Sequence, residues 1–319
     1  MKKYLIIIII LFSSFLLGNT FQDSYWFERL DLDRTLLKER IFSITQDSIG
    51  YMWFGTTNGL YKYDGREIVH YDATGAPDGL EDDNIFDLYT DKNGNVLIIT
   101  GNSVEKYDYN KDKFIKVKLP DVDKRYKFIV EDDNENLFII NRYSQIITLN
   151  RNNKLIKDTM TLDYKLRDVI YNNGKILFAS KSGLHAYDIE QDKVQSNIIN
   201  SPCYTAEKYD NRIFVGLKSQ IKVLNSTNYQ TIKTINLPNQ ARPRQITIGN
   251  KNNIWINTQT NPLIYDVQSG IIRGTSEKFN IYGLIRANSP IFSIYKSKSG
   301  TIWIGSAVSG LYKSRMMSN

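Results

Sequence analysis

The chain repeats itself, and no other feature restricts its fold as tightly. Residues 41–44, 50–55 and 59–62 read IFSI, GYMWFG and GLYK, and residues 291–294, 300–305 and 310–313 read IFSI, GTIWIG and GLYK. Five weaker copies fill the interval. Aligned on Trp53, the equivalent positions are Leu97, Phe138, Leu177, Phe214, Trp255 and Trp303, spaced 37 to 48 residues apart. The apolar runs are short, rich in β-branched and aromatic residues, and separated by Asp, Asn, Gly and Lys. That combination of period and composition fits the blades of a β-propeller better than a helical repeat.

Each unit reads as four strands. In the first they cover residues 41–45, 51–55, 60–63 and 67–71, and the fourth strand recurs at 114–119, 154–158, 194–199, 231–237 and 271–274. The seventh unit has no fourth strand of its own. A Tyr-Trp-Phe-containing run at residues 24–30 stands ahead of the first unit and has the right length to supply it. Pairing the two would close the circle and remove the exposed sheet edges. The expected fold is therefore all-β, a single seven-bladed β-propeller with four-stranded blades over residues 21–319, its ring closed by the N-terminal strand joining the last blade.

Residues 1–20 read as a signal peptide: Lys2 and Lys3, then an apolar run to Leu17, then Gly18, Asn19 and Thr20. The run falls short of the ~20 residues that usually span a bilayer, and an uncleaved anchor is the alternative. A periplasmic or extracellular location is expected. The single cysteine, Cys203, allows no intramolecular disulfide, and its apolar surroundings point to a buried, inert thiol. Two histidines, His70 and His185, are too few for most histidine metal sites. No metal and no cofactor is expected. Lys and Arg number 41 against 34 Asp and Glu, a net +7 spread along the chain without a basic block, which argues against nucleic acid as a partner.

Most repeated polar residues have structural explanations. Asp47, Asp91, Asp132, Gly50, Gly94, Gly174 and Gly300 fall in turns between first and second strands, where Asp accepts backbone N–H bonds and Gly takes positive φ. The acidic run at 131–135 lacks the spacing and closing Glu of an EF-hand. Trp53, Trp255 and Trp303 share one repeat position and are expected to pack blade on blade. Binding residues are sought instead in the loops around the channel mouth. The candidates for ligand binding are Arg142, Tyr143, Arg242, Arg244, Tyr282 and Arg286, because guanidinium forks and flat rings suit acidic sugars, carboxylates and peptide ends.

The stretch from Ile44 to Gly65, with Gln46-Asp47, Gly50-Tyr51-Met52-Trp53-Phe54-Gly55-Thr56 and Asn58-Gly59-Leu60-Tyr61-Lys62-Tyr63-Asp64, resembles the two-component regulator propeller repeat. That resemblance implies an extracytoplasmic ligand-binding sensor region of the kind found in hybrid two-component systems, many of which respond to glycans. It implies an oligosaccharide or peptide ligand, and a membrane sensor kinase or envelope protein as partner. It carries over no kinase activity, because no phospho-accepting histidine motif is present, and it transfers no ligand residue. The chain is expected to be a stand-alone exported propeller or a piece of a longer sensor. Two other functions remain open: a propeller lyase or hydrolase acting at the channel mouth through Asp82, Asp83 and Arg244, or a cell-envelope scaffold.

Overall fold

Each repeat folds as one four-stranded antiparallel sheet, seven sheets in all. The computed structural model describes residues 25–30, 36, 39–73, 79–120, 123–250, 253–258, 262–274, 290–307 and 309–316; the expected leader at 1–20 lies outside them. In blade 1 the strands are Ile41–Gln46, Met52–Thr56, Leu60–Tyr63 and Ile68–Tyr71, in that order from inside outward. Second strands such as Met52–Thr56 and Val96–Thr100 are buried at every position. Both their faces are covered by neighbouring blades, so they read as continuous apolar runs instead of alternating ones. Fourth strands lie at the outer wall, and Thr231–Asn236 is exposed at all positions but one. There the pattern constrains the ends least: the blade 2 outer strand, Lys113–Lys116, stops short of the expected 119, and that of blade 3, Leu155–Thr161, runs past the expected 158.

The first strands of the seven blades, Ile41–Gln46, Ile85–Thr90, Tyr126–Glu131, Leu166–Asn172, Cys203–Tyr209, Pro243–Ile248 and Ile291–Lys296, contact one another in sequence around a central channel, the last against the first. The ring closes as the repeat requires. Tyr25–Arg29 pairs antiparallel with Leu311–Met316 and completes blade 7, with Phe27 opposite Ser314. Leu30 N–H extends the ladder to the Leu311 carbonyl at 2.9 Å. Phe27 is buried with its ring 5.8 Å from Trp255. Lys313 and Arg315 bracket Glu28 at 3.3 and 2.8 Å, exposed pairs that contribute little beside the ladder and Phe27.

Blade-to-blade packing explains the repeated Trp-x-Gly pattern. Trp53 meets Tyr107 of blade 2 at 4.8 Å, and Trp303 of blade 7 meets Phe54 of blade 1 at 5.6 Å. Two residues after Trp53 and Trp303 stands a glycine. A Cβ on Gly55 would come within 2.7 Å of Ile85 Cγ2, and one on Gly305 within 2.7 Å of Ile41 Cγ2. The missing side chain lets the next inner strand settle directly on the backbone.

Asp47, fully buried, organises the turn and the seam. Its Oδ1 accepts the N–H of Gly50 and Tyr51 at 2.8 and 2.9 Å; its Oδ2 accepts Trp53 Nε1 at 2.8 Å and the Tyr109 hydroxyl of blade 2 at 2.9 Å. Lys298 Nζ of blade 7 donates to the Asp47 carbonyl at 2.8 Å. One residue thus joins three blades. Ser297 takes the same place in blade 7, is too short to reach its tryptophan, and leaves Trp303 Nε1 without an acceptor among the described residues.

Removing one acceptor from several buried donors is costly. Asp47→Ala is expected to lower stability by about 3 kcal/mol, read as a drop in the denaturant midpoint at unchanged slope. Phe27→Ala is expected to cost about 3–5 kcal/mol in a single transition for the whole ring, whereas separate early melting of blade 7 would show that closure is not cooperative.

Candidate functional site

The seven inner strands share one irregularity. Their ladders slip between Ile41 and Ser43, Ile85 and Asp87, Tyr126 and Phe128, Leu166 and Asp168, Cys203 and Thr205, Pro243 and Gln245, and Ile291 and Ser293. The residue bulged out of each ladder is Phe42, Phe86, Lys127, Arg167, Tyr204, Arg244 or Phe292. A bulge leaves its extra residue unpaired and re-aims its side chain. Here six of the seven line an opening of about 730 Å³ at the channel mouth. The seventh, Tyr204, lies beneath two guanidiniums, Arg167 from blade 4 and Arg242 from the loop before the inner strand of blade 6, 4.4 and 5.2 Å from its ring centre.

The residue after the bulge is polar in every blade but the third, where it is Phe128, and in those six it bonds the neighbouring blade. Ser43 donates to Asp87 Oδ1 at 2.7 Å, and Thr205 Oγ1 and Ala206 N–H donate to Asp168 Oδ2 at 2.7 and 2.9 Å. Gln245 bonds both backbone groups of Ile294, at 3.0 and 2.9 Å. These carboxylates lie in the channel wall, where burial pushes Asp87 up to about 6 and raises Asp168 as well. Burial lowers Lys127 between them. Further along the blade 5 inner strand, burial and the Asp168 charge push Glu207 up to about 8, with no hydrogen bond to it from a described residue.

Around the mouth the side chains divide by chemistry. Blades 7, 1 and 2 contribute Phe292, Phe42 and Phe86; the first two rings are 5.1 Å apart, and Phe86 is 48% exposed. Blades 3, 4 and 6 contribute the cations Arg125, Lys127, Arg142, Lys165, Arg167 and Arg244, together with Phe128 of blade 3, whose ring centre is 4.3 Å from Lys127 Nζ. Arg125 holds a left-handed backbone, φ 40°. Its guanidinium lies 4.7 Å from the Tyr143 ring centre and pairs with Asp123 at 3.2 Å. Among the described residues Arg142, Lys165 and Arg244 have no ion pair. A second groove, about 600 Å³, lies on the outer wall between blades 2 and 3, lined in part by Tyr107, Ile115, Lys116 and Lys154.

Residues 35–58 match the family model of the two component regulator propeller. The matched segment holds the first two strands of blade 1, with Asp47, Trp53, Gly55 and the bulged Phe42. No curated protein matches the chain. Among solved structures, the extracellular domain of a putative hybrid two component system from B. thetaiotaomicron superposes with a TM-score of 0.71 at 19% identity, over 91% of this chain and 42% of that one. The extracellular domain of a putative one component system from the same organism gives 0.74 at 17%, over 92% and 43%. The chain thus spans less than half the length of these two sensor domains. Virginiamycin B lyase from Staphylococcus aureus gives 0.72 at 15%, over 92% of this chain and all of that one. At these identities the likeness is one of fold.

Of the residues expected from sequence, Arg142 and Arg244 line the mouth, Tyr143 backs Arg125 at its rim, and Arg242 stacks on Tyr204. Tyr282 and Arg286 lie outside the described residues. Asp82 and Asp83 do not join Arg244: Asp82 accepts Asn84 N–H at 2.9 Å and Asp83 accepts Ala73 N–H at 2.6 Å, holding their own loop. His70 stacks on Tyr61 at 4.4 Å on an outer strand, and buried His185 packs on Tyr164 at 4.2 Å. Of the seven bulged residues only Arg244 is expected from the sequence. The others stand ten or eleven residues before the anchor of each repeat unit, a column that aligning the units exposes.

Burial pushes the Cys203 thiol up to about 12, so iodoacetamide at pH 8 is expected to spare the folded protein and label it only after unfolding. Glu207, held near 8 against an ordinary 4.5, keeps a proton in the native state that the unfolded chain has released. Its contribution to stability therefore falls as pH rises from about 4.5 to 8. Glu207→Gln is expected to raise the melting temperature at pH 8.5 and leave it unchanged at pH 4, a difference that thermal scans at both pH values measure.

Proposed function

We propose that this chain is the ligand-binding propeller of an exported sensory protein, and that it takes an anionic glycan or peptide at its channel mouth without chemically changing it. The observation that carries this reading is the convergence of six cations and four phenylalanines on one opening. Three of those cations, Arg142, Lys165 and Arg244, have neither an ion pair nor a side-chain hydrogen bond among the described residues, which leaves them available to an anion. The regulator-propeller repeat in blade 1 and the likeness to two extracellular domains of sensor systems support the sensory role and the exported location. A membrane sensor kinase or envelope protein would be the partner that receives the signal.

The lyase reading is weaker at the same site. A histidine-to-alanine variant of the Staphylococcus aureus lyase is catalytically inactive, and among the described residues neither histidine of this chain lines the mouth. The mouth carboxylates Asp87 and Asp168 are engaged between blades. General acid–base work needs a positioned group within reach of the reacting atoms, and no such set converges here among the described residues.

Calorimetric titration against acidic and neutral glycans and peptides is expected to give saturable binding with no new product by mass spectrometry. Arg244→Ala is expected to weaken it about 10- to 100-fold, the value of a charge-assisted hydrogen bond. Undiminished affinity in that variant would move the site away from the mouth, and turnover would favour the lyase.

A further inference from the structure

We infer that the ligand of this mouth is a sugar acid, a pyranose carrying a carboxylate or a short chain of such rings. This rests on the proposed binding role and adds the chemistry of the ligand. Strand order divides the mouth: three of its four phenylalanines come from the adjacent blades 7, 1 and 2, the cations all come from blades 3, 4 and 6, and the fourth phenylalanine, Phe128 of blade 3, is covered by Lys127 at 4.3 Å. An occupant must present anionic groups to one side and an apolar face to the other. Its volume of about 730 Å³ suits a ligand of a few rings.

Both sides are held in advance. Arg167 donates to the Cys203 carbonyl at 3.1 Å while stacked on Tyr204, and Lys127 donates to the Leu166 carbonyl at 3.1 Å. Phenylalanine offers no hydrogen bond, so Phe42, Phe86 and Phe292 take the C–H face of a ring. In the channel wall, Asp87 and Asp168 change what is acceptable again. They repel a second anion, which keeps the ligand's carboxylates on the cationic side. Asp87 Oδ2 accepts no hydrogen bond from a described residue and can receive a hydroxyl.

Inorganic phosphate or sulfate lacks the apolar face, and a fatty acid lacks the hydroxyls. An acidic peptide carries its carboxylates on flexible side chains and loses rotamer freedom to place them. A sugar acid holds carboxylate, hydroxyls and C–H face on one rigid ring.

The full chain should be titrated with trimers of galacturonate, glucuronate and mannuronate, the corresponding neutral trimers, triglutamate and sodium sulfate. At least one uronate trimer is expected to bind more than tenfold tighter than its neutral counterpart, triglutamate and sulfate. The double variant Arg142→Ala, Arg244→Ala should erase the preference for charge. Phe86→Ala should weaken charged and neutral trimers alike, and both variants should keep the parent melting temperature. Failure of all three uronate trimers, or tighter binding of triglutamate or a neutral trimer, would overturn the sugar-acid assignment. The binding role itself would still stand if another ligand bound and Arg244→Ala weakened it.

Discussion

The structure depends on one strand pairing between distant parts of the chain. Tyr25–Arg29 lies beside Leu311–Met316, and without it blade 7 would end in an open edge. The chain incurs the loop-closure cost of nearly its whole length for that contact, a cost that grows only slowly with length. In return every inner strand has a neighbour on both sides. Asp47 reinforces the same seam, binding Trp53 within blade 1, Tyr109 in blade 2 and Lys298 in blade 7. Closure also makes the mouth. Seven equivalent bulges on an open sheet would point along a line; on a ring they surround one opening.

The scaffold was legible because its demands are the same in every blade. A strand covered on both faces must be apolar throughout, a tight turn needs Asp or Gly, and Gly55 or Gly305 must be bare where Ile85 or Ile41 presses in. Those demands repeat, so period and anchors can be read. Outer strands such as Thr231–Asn236 face water and carry weaker patterns, which is why the fourth strands of blades 2 and 3 ended away from their expected limits. The mouth was less legible for the opposite reason. The bulged position holds Phe, Lys, Arg or Tyr depending on the blade, and a reading that looks for sameness passes over it. Arginines in loops were visible as chemistry, which brought out Arg142, Arg242 and Arg244. Asp82 and Asp83 looked equally reactive, but turn geometry uses their oxygens.

The electrostatics of the mouth are mixed in sign. Cations at the rim raise the local potential well above what a net +7 over 319 residues provides, and such focusing speeds the approach of anions. Carboxyl groups share the channel wall, where burial holds Asp87 and Glu207 above their ordinary range. Ionised Asp87 and Asp168 oppose an anion placed beside them, so an anion is favoured against the unpaired cations Arg142, Lys165 and Arg244.

Amide hydrogen exchange with and without a bound uronate trimer tests most directly whether the ring of bulges is the binding surface. Slowed exchange is expected at the rim segments around Lys127, Arg167 and Arg244, with the outer strands unchanged. Slowing confined to the outer groove near Lys116 and Lys154, with those rim segments unaffected, would contradict it.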